Sequence, residues 1–189
     1  VSVNSGEAVG WYTKAADKGN TEAQLELGDR YFDGNGVKQK YSEAAKWYLK
    51  AAVLGIPRAQ YKLGQMYSQG QGVERNYVEA AEWYRKAADQ GLPEAQRSLA
   101  ALFVDGNGVG QSYAEAEKWY RKAAEHGSKE AQYTLGCMYE YGKGVEQSNR
   151  EAVIWLQKAA AQEYAQALYH LGSMYEYGRG VIQDDEIAL

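Results

Sequence analysis

Residues 59–91 read AQYKLGQMYSQGQGVERNYVEAAEWYRKAADQG, and the same pattern returns 36 positions later at residues 95–127. Tryptophan marks the step without a slip, at Trp11, Trp47, Trp83, Trp119 and Trp155. A fixed period of this length is the signature of a repeat architecture, in which each copy is one supersecondary unit. The sequence therefore predicts a tandem array of about five copies of a 36-residue unit.

Each unit contains two segments with helical periodicity. In the first, Ala23, Leu27 and Tyr31 recur at i, i+4 and i+8, which is one face of a helix. In the second, Ala44, Trp47 and Ala51 occupy a broader helical face. We call these segments helix A and helix B, and together they predict an all-α chain of helix-turn-helix repeats.

The ends of the helices carry their own signals. A capping box, in which a short polar side chain and a Glu cap the first turn, predicts the start of helix B at Asn4/Glu7, Asn76/Glu79, Ser112/Glu115 and Ser148/Glu151. Lys40 interrupts this pattern in one copy. Helix B is predicted to end at a left-handed glycine, at Gly19, Gly55, Gly91 and Gly127. Glu163 replaces that glycine in the last copy, so we expect a different junction there.

Two further sets of glycines predict two different requirements. One set lies within helix A, at Gly28, Gly64, Gly136 and Gly172, and the third copy has Ala100 at this position. Because alanine is accepted there although glycine is the poorer helix former, we expect that the position requires a small side chain, so that a ring or another helix can approach the backbone. The paired glycines of the connecting loop are never replaced by alanine, which indicates positive φ. A phosphate-binding loop is disfavoured, because the further glycine and the preceding strand are missing.

A single helical hairpin cannot bury its apolar faces, so stability should come from stacked neighbours that pool their aromatic rings in one core. We predict one solenoid domain over residues 1–189. It comprises helix B of a partial repeat at 1–19, full repeats at 20–55, 56–91, 92–127 and 128–163, and a partial fifth repeat at 164–189. Both ends fall within a repeat, so we interpret the chain as part of a longer array, or its last helix as only partly formed.

Composition narrows the classes of function. A net charge of -4 and the lack of a long basic run disfavour a nucleic-acid partner. No apolar stretch is long enough to cross a membrane, and the first residues lack the pattern of a signal peptide. The one cysteine, Cys137, leaves the redox compartment open, so exported and cytoplasmic locations are both compatible with the sequence.

The repeated residues resemble the Sel1-like repeat (SLR) family. The resemblance rests on Ala-Gln-x-x-Leu-Gly-x-x-Tyr, Gly-x-Gly-Val and Ala-x-x-Trp-Tyr-x-Lys-Ala-Ala-x-x-Gly, seen at Ala59–Tyr67, Gly70–Val73 and Ala80–Gly91. It implies a right-handed α/α superhelix similar to tetratricopeptide arrays, with helix A on the concave side. It also implies adaptor roles in bacterial secretion, host interaction and signalling, or in eukaryotic protein quality control. The cysteine-rich members of the family carry a disulfide in each repeat, which this chain cannot form.

A variable stripe beside the conserved face of helix A is the candidate surface for a protein or peptide partner. Unlike the face itself, it differs between copies, and tyrosine and arginine are common anchors of interfaces. The predicted partner-binding residues are Leu25, Asp29, Phe32, Arg58, Tyr61, Gln65, Arg97, Val104, Tyr133, Cys137, Tyr141, Tyr169 and Tyr177. Solvated helix surface, or tyrosines that fill the core between repeats, is the alternative interpretation.

The remaining candidates for chemistry are interpreted structurally, and we predict no catalytic residue, metal site or cofactor. His126 is expected in the last turn of helix B and His170 at an exposed position, neither with a ligand partner at i+3 or i+4. Cys137 has no histidine close in sequence to activate it. Asp33-Gly34-Asn35 and Asp105-Gly106-Asn107 resemble the opening of a calcium loop without its last ligand, so we interpret them as helix stops.

Three hypotheses about function follow. The first is a scaffold or adaptor, monomeric or weakly self-associating, that binds a protein or peptide through helix A. The second is an enzyme or a binder of small molecules such as cell-wall fragments, which would require a deep pocket with convergent ionisable groups. The third is a structural spacer that assembles end to end.

Overall fold

A computed structural model describes residues 5–181, which form ten α-helices and no strand. The helices alternate between type B and type A as predicted. They are α1 (Ser5–Asp17), α2 (Thr21–Asp33), α3 (Tyr41–Val53), α4 (Pro57–Gln69), α5 (Tyr77–Asp89), α6 (Pro93–Asp105), α7 (Tyr113–Glu125), α8 (Lys129–Tyr141), α9 (Asn149–Ala160) and α10 (Ala165–Glu176).

The predicted caps start the B helices. The side chain of Asn76 accepts hydrogen bonds from the backbone N–H groups of Val78 and Glu79. Ser112 and Ser148 cap α7 and α9 in the same way, each accepting from the N–H three residues later. Lys40 makes no side-chain cap, as expected from its missing acceptor. The remaining predicted cap, Asn4, lies outside the described residues.

The loop glycines have the positive φ that the sequence predicted, and the second of each pair also lies against another repeat. A Cβ on Gly72 would overlap the backbone at Tyr41. Gly144 lies in the same way against Tyr113, which begins α7. The loop after one helix A therefore passes directly over the start of the preceding helix B, and side chains are excluded there.

Gly28, Gly64 and Gly136 confirm the predicted need for smallness within helix A, whereas a Cβ on Gly172 would meet no atom of the described residues within 4 Å. A Cβ on Gly64 would lie 2.7 Å from Cδ1 of Tyr84, and one on Gly28 would overlap the Tyr48 ring. On α8, a Cβ on Gly136 would lie 2.8 Å from Cγ of Leu156. Each of these glycines lets a large side chain of the following helix B lie on the backbone of helix A.

The chain divides into two compact units. The first extends to Ala95 and includes Asn107–Val109, and its buried core joins alanines of α3 with Tyr48, Leu63 and Met66. The second contains Gln96–Gly106 and the chain from Gly110 onward. A core at its end joins alanines of α9 and α10 with Val153, Leu156, Leu171 and Met174.

The tryptophans are core residues in only part of the array. Trp83, Trp119 and Trp155 are buried and Trp47 is partly buried, whereas Trp11 is 68% exposed. The burial of a tryptophan depends on the helices before it. Trp83 packs against buried residues of α3 and α4, and Trp47 packs against buried residues of α1 and α2. Trp11 lies on the first described helix, with no described hairpin before it. The prediction that all five rings are buried is therefore wrong for Trp11.

The junction at Glu163 keeps the geometry of its glycine counterparts. Glu163 has φ 55°, while Gly55 and Gly127 both have φ 89°. The different junction expected from the sequence is therefore not found. The turn that links helix B to helix A requires a left-handed residue, and the chain adopts that conformation there despite the Cβ.

Candidate interaction surface

In the first unit, two stripe residues already serve the fold. The hydroxyl of Tyr48 donates a 2.7 Å hydrogen bond to Oδ1 of Asp29. Arg58 on α4 lies 3.4 Å from the other oxygen of that carboxylate. Burial and the hydrogen bond to Asp29 both raise the pKa of Tyr48 above its ordinary value. Asp29 therefore links α2, α3 and α4, and its carboxylate is engaged inside the unit.

Leu25 and Phe32 are partly buried against the core of the first unit. The Phe32 ring lies 5.0 Å from that of Tyr41, and Nζ of Lys62 lies 5.6 Å from the centre of the Phe32 ring. These two residues match the alternative interpretation of the stripe, in which apolar side chains fill the space between repeats.

Tyr61 and Gln65 form a small polar group on α4. Gln65 donates a 2.9 Å hydrogen bond to the Tyr61 hydroxyl. The Tyr61 ring lies 5.7 Å from the ring of Tyr84. The pair is partly buried and held in place, which suits a surface that is preorganised before a partner arrives.

In the second unit, the stripe lines two cavities. The Tyr169 cavity, of about 340 Å³, is bounded by Tyr133, Tyr141, Gln166, Tyr169, His170, Ser173 and Arg179. The Cys137 cavity, of about 270 Å³, is bounded by Val104, Tyr113, Tyr120, Thr134, Cys137, Met138, Tyr141 and Lys143. Tyr141 lines both cavities, which therefore adjoin.

The tyrosines of the second unit differ in exposure. Tyr169 is 85% exposed, Tyr177 68% and Tyr141 60%. Tyr133 is partly buried, with its ring 5.6 Å from Tyr164 and 5.9 Å from His170 in edge-on contacts. The structure thus brings Tyr133, Tyr141 and Tyr169 to one cavity, whereas Tyr177 is not among the residues that line it.

Arg97 and Val104 both lie on α6. Arg97 is partly exposed and lies 3.5 Å from the carboxylate of Glu130 at the start of α8. Val104 lines the Cys137 cavity. Of these two predicted residues, only Val104 therefore contributes to a cavity.

A buried charged group behind the Tyr169 cavity was not predicted. Glu140 is 3% exposed, and its Oε1 accepts a 2.6 Å hydrogen bond from Nη1 of Arg179. Its Oε2 lies 2.7 Å from Nε2 of His170. That oxygen makes no well-aligned hydrogen bond, so the pairing with His170 is mainly electrostatic. Arg179 also donates a 3.0 Å hydrogen bond to the Ser173 hydroxyl.

The exposed position expected for His170 is wrong, because its side chain is only 15% exposed and faces Glu140. Cys137 does have a histidine nearby, since its Sγ lies 3.8 Å from His170 Nδ1. The two residues are 33 positions apart, which is almost one repeat. Stacking of like helices at this period could have indicated the pair in the sequence. His126 ends α7 as predicted, with Nδ1 3.1 Å from the amide oxygen of Gln96.

Burial changes the acidity of two groups here. It raises the pKa of the Cys137 thiol, an effect that a hydrogen bond from Tyr133 opposes and the charge of Glu140 reinforces. Burial, together with the neighbouring Cys137, raises the pKa of Tyr133 to about 12. Both groups are therefore protonated at neutral pH.

No three His, Cys, Asp or Glu side chains in residues 5–181 are grouped to hold a metal ion. Within the same range, no helix is long and apolar enough to cross a membrane.

Comparisons with known proteins agree on the repeat. The Sel1 repeat model matches residues 1–20, 21–55, 57–92, 93–128, 129–164 and 165–189. No curated protein matches the chain. Members of the Sel1 repeat family generally act as protein-interaction scaffolds, and the fold is typically non-catalytic.

Solved structures include similar chains. A protective antigen of uropathogenic Escherichia coli, c5321, which displays an SLR fold, is 41% identical with a TM-score of 0.93, over 95% of this chain and 38% of that one. A Sel1 repeat protein from Oxalobacter formigenes is 36% identical with a TM-score of 0.89, over 94% of this chain and 73% of that one. The chain thus spans little more than a third of the antigen's length. These matches confirm the predicted all-α solenoid fold.

Proposed function

Because the chain belongs to the Sel1 repeat family, we propose that it is a scaffold that binds a protein or peptide through the stripe on its A helices. Within the stripe, the principal contact is assigned to the second unit. There the Tyr169 and Cys137 cavities adjoin at Tyr141. The partner is expected to insert one bulky apolar or aromatic side chain into each cavity.

The pair of adjoining cavities is the observation that supports this proposal best. Tyrosine supplies a large, rigid contact area at little cost in conformational entropy, and exposed tyrosines concentrate at binding surfaces. Tyr141 and Tyr169 are both mostly exposed although they lie beside cavities large enough for a side chain. Residues that only filled the core would be covered, as Leu25 and Phe32 partly are.

The charges around the Tyr169 cavity favour a largely uncharged contact. Arg179 and His170 are both engaged with Glu140, so the Tyr169 cavity offers aromatic faces rather than a free ion. Arg58 and Arg97 likewise lie beside Asp29 and Glu130. Exposed ion pairs contribute little to affinity, so we expect them to set orientation while the tyrosines carry the energy.

The test compares capture of binding proteins by the wild-type chain and by Tyr141→Ala/Tyr169→Ala. Both side chains are mostly exposed, so the variant should fold normally, as far-UV circular dichroism can check. For a captured partner, we expect the affinity to fall at least about tenfold, because interface energy concentrates in a few aromatic anchors. Tyr175→Ala is the matched control, since Tyr175 is exposed on α10 but does not line the cavity.

Two results would contradict the proposal. One is an identified partner that binds the double variant and the wild type equally. The other is capture of further copies of the chain alone, with a mass by light scattering that rises with concentration, which would instead support the spacer hypothesis.

A further inference from the structure

Cys137, His170 and Glu140 form a chain of three ionisable groups beside the two cavities. Cys137 lines the Cys137 cavity, His170 lines the Tyr169 cavity, and Glu140 is buried. The Sγ of Cys137 lies 3.8 Å from Nδ1 of His170, and Nε2 of His170 lies 2.7 Å from Oε2 of Glu140. We propose that this group makes Cys137 a site of covalent modification by low-molecular-weight disulfides, with His170 as the base that takes the thiol proton.

Glu140 fixes the state of the imidazole. Its carboxylate is almost fully buried with Oε2 2.7 Å from Nε2, and although the two are not aligned as a hydrogen bond, the negative charge there favours a proton on Nε2 over one on Nδ1. Nδ1 is then the unprotonated nitrogen and can accept the S–H proton. Arg179 lies 2.6 Å from the other carboxylate oxygen and holds Glu140 in place. The order thiol, imidazole and carboxylate is that of an activated nucleophile.

A base is what this thiol requires. Burial raises the pKa of Cys137, so little thiolate forms at neutral pH without help. Proton transfer to His170 would release the thiolate that attacks a disulfide in the cavity. The Tyr133 hydroxyl and the charge of Lys143 both favour that thiolate, whereas Glu140 opposes it.

The cavity gives a reagent access to the sulfur. Cys137 is partly exposed and lines a volume of about 270 Å³ together with Val104, Met138 and Tyr141. The lining is mainly apolar and aromatic, with Lys143 as its cation. A small disulfide fits this volume, whereas a folded protein thiol does not.

The step balances without a further oxidant. The S–H proton passes to Nδ1 of His170, and the thiolate attacks one sulfur of the disulfide. A new S–S bond joins Cys137 to that sulfur while the original S–S bond breaks. The departing thiolate takes the proton back from His170 and leaves as a free thiol. Cys137 is the only cysteine in these 189 residues, so no second thiol of the chain resolves the mixed disulfide.

The experiment treats the whole chain with dithiodipyridine and follows the release of thiopyridone by absorbance. We expect one equivalent to be released from the native protein, a matching mass increase, and no release from Cys137→Ser. In His170→Asn, the rate at neutral pH should fall at least about tenfold, because general-base assistance is lost. His126→Asn, which removes the other histidine, should react like the wild type.

The pH profile separates this role from a merely structural one. The wild type should stay reactive below the pH at which the thiol itself ionises, whereas His170→Asn should follow thiol ionisation alone. Equal rates and profiles in the two proteins would overturn the proposal, as would release only after unfolding in urea. If His170→Asn does not fold, Glu140→Gln decides in its place, since a slower reaction supports the proposal and an unchanged one overturns it. None of these readouts requires a partner protein, so the result is independent of the scaffold function.

Discussion

The side-chain amide of Gln90 donates a 2.8 Å hydrogen bond to the buried Oε1 of Gln60, which lies 30 residues earlier. Gln60 in turn donates to the carbonyl of Ala52 near the end of α3. Gln162 and Gln132 repeat this arrangement at 2.9 Å, with Gln132 donating to Ala124. The buried glutamines Gln60 and Gln132 thus each donate to the end of the preceding helix B and accept from the end of the next one.

The first repeat lacks the last of these bonds. Gln24 donates to Ala16, but its buried Oε1 has no hydrogen-bond partner within residues 5–181. The residue 30 positions later is Leu54, which is 57% exposed and cannot donate. We expect Leu54→Gln to raise the free energy of unfolding by about 1 kcal/mol, the typical net value of one hydrogen bond.

Urea unfolding at equilibrium measures this gain, and Leu54→Ala is its control, since it removes the same exposed side chain without adding a donor. Equal stability of the two variants would show that the bond at Gln24 does not form. The double variant Leu54→Gln/Gln24→Ala should lose the gain, which assigns it to this pair.

The left-handed turn at Glu163 is a second site where one repeat lacks a stabilising feature of the others, because the equivalent residue there is glycine. A non-glycine residue with this φ of 55° costs about 1–2 kcal/mol. We therefore expect Glu163→Gly to raise the melting temperature and Glu163→Ala to leave it nearly unchanged. A Cβ on Gly127 would meet no atom of the described residues within 4 Å, so Gly127→Ala should lower the melting temperature by about as much as Glu163→Gly raises it. A loss of stability in Glu163→Gly would mean that the side chain itself stabilises the turn.

Much of the fold was predictable because each repeat supplies an independent test of the same rule. The capping residue Asn76 and the positive φ at Gly72 follow from local chemistry that involves few neighbours. The burial of a tryptophan does not follow from local chemistry, because it depends on the preceding helical hairpin. Trp11 has no such hairpin before it among the described residues, and its ring is exposed.

The candidate site was less predictable for a related reason. Helical spacing placed Tyr141 and Tyr169 on one stripe, but nothing in the spacing showed that Asp29 is engaged by Tyr48 or that Glu140 is buried. These contacts join different helices through side chains that differ from copy to copy. Comparison of equivalent positions cannot find them, because Asp29 is not repeated in the other copies, and the partners of Glu140 lie in the next repeat.

Replacing a glycine within helix A by alanine should have opposite effects on stability at two equivalent positions, Gly64 and Gly172. Gly64→Ala would place a Cβ 2.7 Å from the buried Tyr84 ring and should cost about 1–3 kcal/mol, as overpacking does. On α10, a Cβ on Gly172 meets no atom of residues 5–181 within 4 Å, so Gly172→Ala should stabilise by up to about 1 kcal/mol through helix propensity. Urea unfolding of both variants checks the pair. A similar change in the two would contradict the close approach of Tyr84.

The tryptophans provide a matched comparison of burial. Trp119 is 6% exposed, so Trp119→Ala should cost about 3–5 kcal/mol, the range for losing a large buried ring. Trp11 is 68% exposed, and Trp11→Ala should change stability by about 0.5 kcal/mol or less. Chemical denaturation measures both, and comparable losses would show that the Trp11 ring is covered in solution.

The hydroxyl of Tyr48 couples stability to alkaline pH. At neutral pH, Tyr48→Phe should cost about 1.5–3 kcal/mol, because it removes a hydrogen bond to a carboxylate. Burial and that bond raise the pKa of Tyr48 above its ordinary 10.0, so above pH 10 the unfolded chain loses this proton while the folded chain keeps it. The unfolded state then binds fewer protons, and the stability of the wild type falls as the pH rises. Urea unfolding from neutral pH to above pH 10 should therefore show the gap between wild type and Tyr48→Phe narrowing. A gap that stays constant would mean that the hydroxyl ionises equally in both states, which the buried contact with Asp29 does not allow.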